Sequence, residues 1–235
     1  HLSVPAPAIP TGPNLFGARL NSKGYDLTHA PHLEMIDAAR APYENSQFTA
    51  SPLTVYKPNG GDVITVTNPA TGENIGKITW ASNMDCAHAL EAAKPWEADG
   101  KTRAAILNNA ADLYEDNFGL FYALLAREAG KSMMDAMNEL REGIDFLRYY
   151  ADRIATLSSP ARGIFTCISP WNFPLAIFTG QIAGALAAGN GVLAKPAEQT
   201  GLIAYEAVKL LHQAGVPSEV LQLLPGDGAT VGAAL

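Results

Sequence analysis

Three short segments in the last third of this 235-residue chain carry residue types that could hold and polarise a small molecule. The first reads Ser169-Pro170-Trp171-Asn172-Phe173-Pro174 and sets a neutral amide between two prolines that stiffen it. A rigid amide donor can hydrogen-bond an oxygen that gains negative charge during a reaction, a role worth about 3 kcal/mol where it has been measured. The same Asn172 could instead cap a following helix. The second reads Lys195-Pro196-Ala197-Glu198-Gln199-Thr200, an ammonium and a carboxylate three residues apart. Such a pair can grip the two hydroxyls of a ribose, and its carboxylate would disfavour a 2′-phosphate, which favours NAD over NADP. Read plainly, it could also be a solvated charged turn. The third, Pro225-Gly226-Asp227-Gly228-Ala229-Thr230-Val231-Gly232, is glycine-rich, but its G-x-G-x-x-x-G spacing is one residue longer than the dinucleotide fingerprint. Those glycines either let a ligand approach the backbone or merely turn the chain.

The elements that must position these segments alternate. Ile164 to Ile168 is a short apolar run of the kind expected in a parallel strand covered on both faces. Leu175 to Ala188 follows as a helix, Val192 to Ala194 as a strand, Gly201 to Ala214 as a helix, and Val220 to Leu224 as a third strand. This rhythm predicts an α/β fold with a Rossmann-like open parallel sheet, which presents ligands beyond the carboxyl ends of its strands. Only about three strands fit, so the sheet is expected to be incomplete. A helical block precedes it. Ser82 or Asn83 opens a segment that ends before Pro95, then come Lys101 to Tyr114, Phe118 to Ala129 with Gly130 as a stop, and a long helix from Ser132. Tyr149 and Tyr150 in that helix are expected to be core. Before the block, Leu53 to Tyr56 and Val63 to Thr67 flank Pro58-Asn59-Gly60-Gly61 and predict a β-hairpin, with Ile75 to Trp80 as a further strand. That hairpin is expected to extend from the body and to contribute to self-association. Residues 1–52, with prolines at 5, 7, 10, 13, 31, 42 and 52, read as a linker or wrapping arm containing one helical stretch from Pro31 to Ala41. The expected organisation is 1–52 arm, 53–80 hairpin region, and 81–235 helical block with partial nucleotide-binding domain.

Composition narrows the function classes. Apolar residues make up 48% and charged residues 17%, an ordinary globular balance, and a net charge of −7 without a basic cluster argues against nucleic acid as a partner. Cys86 and Cys167 lie 81 positions apart with no metal-ligand spacing, so the expectation is free thiols, no metal, and a reducing, cytoplasmic setting. The apolar stretch from Pro174 to Ala188 is too short to span a bilayer.

Taken together, Cys167 to Thr200, Gly215-Val216-Pro217 and Leu224-Pro225-Gly226-Asp227-Gly228 resemble the aldehyde dehydrogenase superfamily. The resemblance implies that Asn172 is the oxyanion-stabilising amide and that Lys195 and Glu198 hold the adenosine ribose of NAD. It also implies that Ile168, Ser169, Pro170 and Trp171 line the cofactor cleft, while Gly228 and Gly232 border the adenine side. The early run Asn14-Leu15-Phe16-Gly17, Arg19 and Asn21 to Leu27 resembles the entry to the dehydrogenase module of the bifunctional proline utilization A enzymes. There an L-glutamate-γ-semialdehyde (pyrroline-5-carboxylate) dehydrogenase follows a proline dehydrogenase half of the same polypeptide, and the resemblance implies an aldehyde substrate and a homo-oligomer. In the superfamily a cysteine nucleophile and a glutamate base follow the Gly228 region, beyond Leu235, and neither Cys86 nor Cys167 sits in a nucleophile motif. The chain is therefore expected to be the amino-terminal part of such an enzyme and inactive alone. Another aldehyde dehydrogenase, for succinate semialdehyde for example, and a non-catalytic nucleotide-binding or oligomerisation fragment are the alternatives.

Overall fold

The computed structural model describes Gly12 and residues 15–235; the prolines at 5, 7, 10 and 13 and Asn14 lie outside the described residues. In chain order the elements are α1 (Ala30–Arg40), β1 (Phe48–Ala50), β2 (Val63–Thr67), β3 (Asn74–Thr79), α2 (Asn83–Ala92), α3 (Gly100–Asp116), α4 (Phe118–Arg127) and α5 (Met133–Arg153). They continue with β4 (Ile164–Ile168), α6 (Ala176–Ala187), β5 (Gly191–Lys195), α7 (Gly201–Ala214) and β6 (Leu221–Leu223), and then a short helical turn, Gly228–Gly232.

The sheet that matters for function is all parallel, in the order β4-β5-β6. Two helices connect its strands, and α6 packs on α5, so the helical block backs the sheet. One apolar core runs from Ile36 in α1 through Leu107, Phe121 and Leu140 to Phe178 and Leu211. Burial of each such side chain stabilises the fold by roughly 1.5–3 kcal/mol. Tyr150 contributes to it by lying across Gly184, where a Cβ would come within 3.2 Å of its ring, whereas Tyr149 stays exposed between Arg19 and Arg153. The arm follows the outside of the block. The backbone N–H and hydroxyl of Ser22 both donate to Asp145 at 2.8 Å, and the Lys23 N–H donates to Glu115.

Besides Tyr149, expected in the core but exposed, the structure departs from the sequence expectation at three places. A hairpin does precede the helical block, but β2 pairs with β3 around the Asn68–Glu73 turn, not with residues 53–56. Strand β1, from within the arm, adds to it in parallel. Residues 53–61 do not project. Leu53 forms an antiparallel bridge with Leu223 at the edge of the parallel sheet, and the N–H groups of Asn59 and Gly60 donate to Asp85. The Pro-Asn-Gly-Gly segment thus docks on the start of α2, because a capping carboxylate outcompetes a tight turn as its partner. The third departure is β4, whose Ile164, Phe165 and Ile168 are 39%, 43% and 52% exposed. It is an edge strand, whereas β5 and β6 are buried throughout.

Candidate functional site

The three chemistry-bearing segments leave the sheet side by side. Ile168 at the end of β4 is the register partner of Lys195 at the end of β5, and Ala194 that of Leu223 in β6. The ladder runs on one step past the strands, with the Ser169 N–H donating to the Lys195 carbonyl at 3.2 Å and the Leu224 N–H to that of Ala194 at 2.9 Å. Parallel strands lie about 4.8 Å apart, so segments 169–174, 196–200 and 225–232 begin within roughly 10 Å of one another.

Lys195 is 4% exposed, and its ammonium has one acceptor, the Pro196 carbonyl at 3.3 Å. Burial lowers its pKa, while Glu198 and Asp227 oppose that shift. A cation this buried with one long hydrogen bond has donor capacity left for hydroxyl groups. Glu198 is exposed and its Oε1 accepts from the Gly228 N–H at 2.9 Å, which ties the second segment to the third. The solvated-turn reading thus fits Glu198 but not Lys195. Asp227 caps the turn that follows by accepting from the Thr230 N–H.

The glycines divide into two kinds. At Gly226 a Cβ would fall 2.3 Å from Val231 Cγ2, so this position is closed by packing. At Gly228 the nearest atom to a Cβ would be Glu198 Oε1 at 4.0 Å, and at Gly232 it would be Lys195 Cε at 3.6 Å, with no positive φ at either. Neither glycine is demanded by the protein's own atoms. The free space lies beside Lys195 and Glu198, where the resemblance puts a nucleotide.

The first segment is mostly exposed, with Trp171 at 61% and Asn172 and Phe173 also outside, although Ser169 is buried. Asn172 does not cap α6. The N–H groups that open that helix, those of Leu175 and Ala176, donate to Glu139 Oε1 at 2.8 and 3.3 Å. Likewise α7 is capped by Glu128, whose two oxygens accept from Leu202 and Ile203 at 2.8 Å each. Burial pushes the Glu128 pKa up to about 8, against the two N–H donors that favour its charged form. Helix N-termini are ready anion sites, but here both are closed by glutamate side chains from the helical block. Neither α6 nor α7 therefore offers a free N-terminus to a phosphate. Sequence reading missed both glutamates, since each lies 36 or more positions from the helix it caps and no local motif joins them.

Both cysteines are buried, and burial pushes the Cys167 thiol up to about 11 and raises that of Cys86. Neither has the depressed pKa of a reactive thiol. Among the described residues there is no cluster of His, Cys, Asp or Glu that could hold a metal, and no helix is long and apolar enough to cross a membrane. A groove of about 740 Å³ runs along β4 and α6 past Phe165, Gln181 and Leu235 and does not include Lys195 or Gly228.

With this geometry in place, comparison with known proteins is informative. The bifunctional protein PutA of Salmonella typhimurium is 45% identical over 99% of this chain, which spans 18% of that protein's length. The crystal structure of proline utilization A from Bdellovibrio bacteriovorus superposes with a TM-score of 0.87 at 30% identity, over 96% of this chain and 26% of that one. A Thermus 1-pyrroline-5-carboxylate dehydrogenase with bound NAD gives 0.83 at 28% identity, over 92% and 46%. The model of the aldehyde dehydrogenase family matches residues 56–235, and the chain belongs to that family.

Proposed function

We propose that this chain is the NAD-binding portion of an aldehyde dehydrogenase that oxidises L-glutamate γ-semialdehyde to L-glutamate, the second step of proline catabolism. The observation that carries the reading is the buried Lys195 beside two glycines that the protein's own packing leaves free. Lys195 and Glu198 hold the ribose hydroxyls, Gly228 and Gly232 make room on the adenine side, and Ile168 to Trp171 line the cleft toward the reacting end. Asn172, exposed and unused by α6, donates to the carbonyl oxygen of the aldehyde as it gains negative charge. The nicotinamide of such a cofactor supplies the hydride acceptor. With both thiols buried and protonated, the chain contributes positioning and no nucleophile.

The aldehyde is argued from the arm. PutA sequences align over 99% of the chain, arm included, whereas the family match begins at residue 56. The same reading places a proline dehydrogenase half in the same polypeptide and carries a homo-oligomer in a cytoplasmic setting.

Titration calorimetry tests the nucleotide assignment. The chain is expected to bind NAD more tightly than NADP, Lys195→Met to weaken NAD by at least about tenfold, and Glu198→Gln to narrow the preference over NADP. Equal NAD affinity in wild type and Lys195→Met would refute it.

A further inference from the structure

We infer that Lys131 and Glu139 form a clamp that positions the Trp171-Asn172-Phe173 segment from outside the sheet. The inference stands on geometry alone; only its catalytic consequence rests on the role proposed for Asn172. Gly130, at φ 66°, ends α4 and turns the chain so that Lys131 leaves just before Ser132 caps α5. The Lys131 ammonium lies 2.6 Å from Glu139 Oε2, with the two side chains 14% and 1% exposed. The same ammonium sits 4.4 Å from the centre of the Phe173 ring, the residue next to Asn172. Glu139 Oε1 meanwhile accepts from the backbone of Leu175 and Ala176. One ion pair therefore holds the segment at two points, its aromatic ring and the start of the helix that follows it.

The chemistry explains why both charges are needed. Glu139 Oε2 has no hydrogen-bond donor of its own and meets only the Lys131 ammonium, as a contact ion pair. Removing either charge leaves the other largely buried without its counter-charge, a larger penalty than losing an exposed pair. An ammonium over a ring face is favourable and directional, so Lys131 restrains where the Phe173 ring can go. Phe173 is 40% exposed, and the clamp is what keeps an otherwise open segment in one place. Lys131 and Glu139 are positioning residues in this account. They touch the segment that carries Asn172 and act through it.

Hydrogen exchange read by mass spectrometry on the 235-residue chain tests this without nucleotide or turnover. Exchange over residues 171–176 is expected to rise at least about tenfold in Lys131→Met and in Glu139→Gln, and to stay within about threefold of wild type in Lys131→Arg, which keeps the charge. The interior of α7 serves as the control and should not change. Phe173→Leu removes only the half-exposed ring and cannot empty the core; it too should accelerate 171–174 alone. Wild-type exchange over 171–176 in Lys131→Met, or in Phe173→Leu, would overturn the clamp. Failure of NAD to bind would refute the nucleotide reading and leave the clamp standing.

Discussion

Lys195 and the glycines around it show what a residue's neighbours add to its type. The Lys/Glu pair was legible from its three-residue spacing at a strand's end, but nothing in the sequence announced that the lysine is buried and the glutamate exposed. The glycines were legible as a loop, with two readings open. Gly226 is closed by Val231, whereas a Cβ at either of the other two would meet only ordinary contacts, with Glu198 at Gly228 and with Lys195 and Asp227 at Gly232. Gly228→Ala and Gly232→Ala should therefore leave the melting temperature within about 2 °C of wild type while weakening NAD binding. Gly226→Ala should cost roughly 1–3 kcal/mol because its Cβ must displace a packed valine. Thermal melts with and without NAD check this, and a Gly228→Ala variant as unstable as Gly226→Ala would contradict it. Asn172 was readable two ways from sequence. The coordinates remove the capping role, because Glu139 already fills it.

At the scale of elements, the strand-helix alternation from Ile164 onward was plain in the sequence, since apolar runs and helical periodicity are local signals. The hairpin was not, because its partner choice depended on Asp85. Burial works against the Asp85 carboxylate, yet hydrogen bonds from Ser82, Asn59 and Gly60 outweigh it and hold its pKa below the usual range. Asp85→Ala should cost about 2 kcal/mol, measured by urea unfolding, and should free residues 57–61 to exchange. Glu128 works in the opposite sense. Between about 4.5 and about 8 it is ionised in the unfolded chain and protonated in the folded one. The folded state then binds the extra proton, so this group's contribution to stability falls as pH rises through that window and is constant above it. Unfolding at pH 5 and pH 8 should show wild type losing ground to Glu128→Gln as pH rises. An unchanged difference between the two proteins would show that the helix α7 cap stays charged throughout.

The whole molecule is a short parallel sheet backed by helices, with an arm along the outside and Leu53 closing the β6 edge. The opposite edge, β4, keeps Ile164, Phe165 and Ile168 exposed, and this was hidden from a reading that saw only an apolar run. Burial of a strand depends on what lies beside it, which is a long-range property. What the sheet does accomplish is alignment, since three strand ends in register bring segments 27 to 30 residues apart to the same end of the sheet. The most direct test is a two-dimensional amide NMR titration of the isotope-labelled chain with NAD. The account predicts saturable shifts confined to residues 168–173, 195–199 and 226–232, moving together with one dissociation constant. Shifts scattered over unrelated surfaces, or absent at all three segments when NAD is saturating, would contradict it.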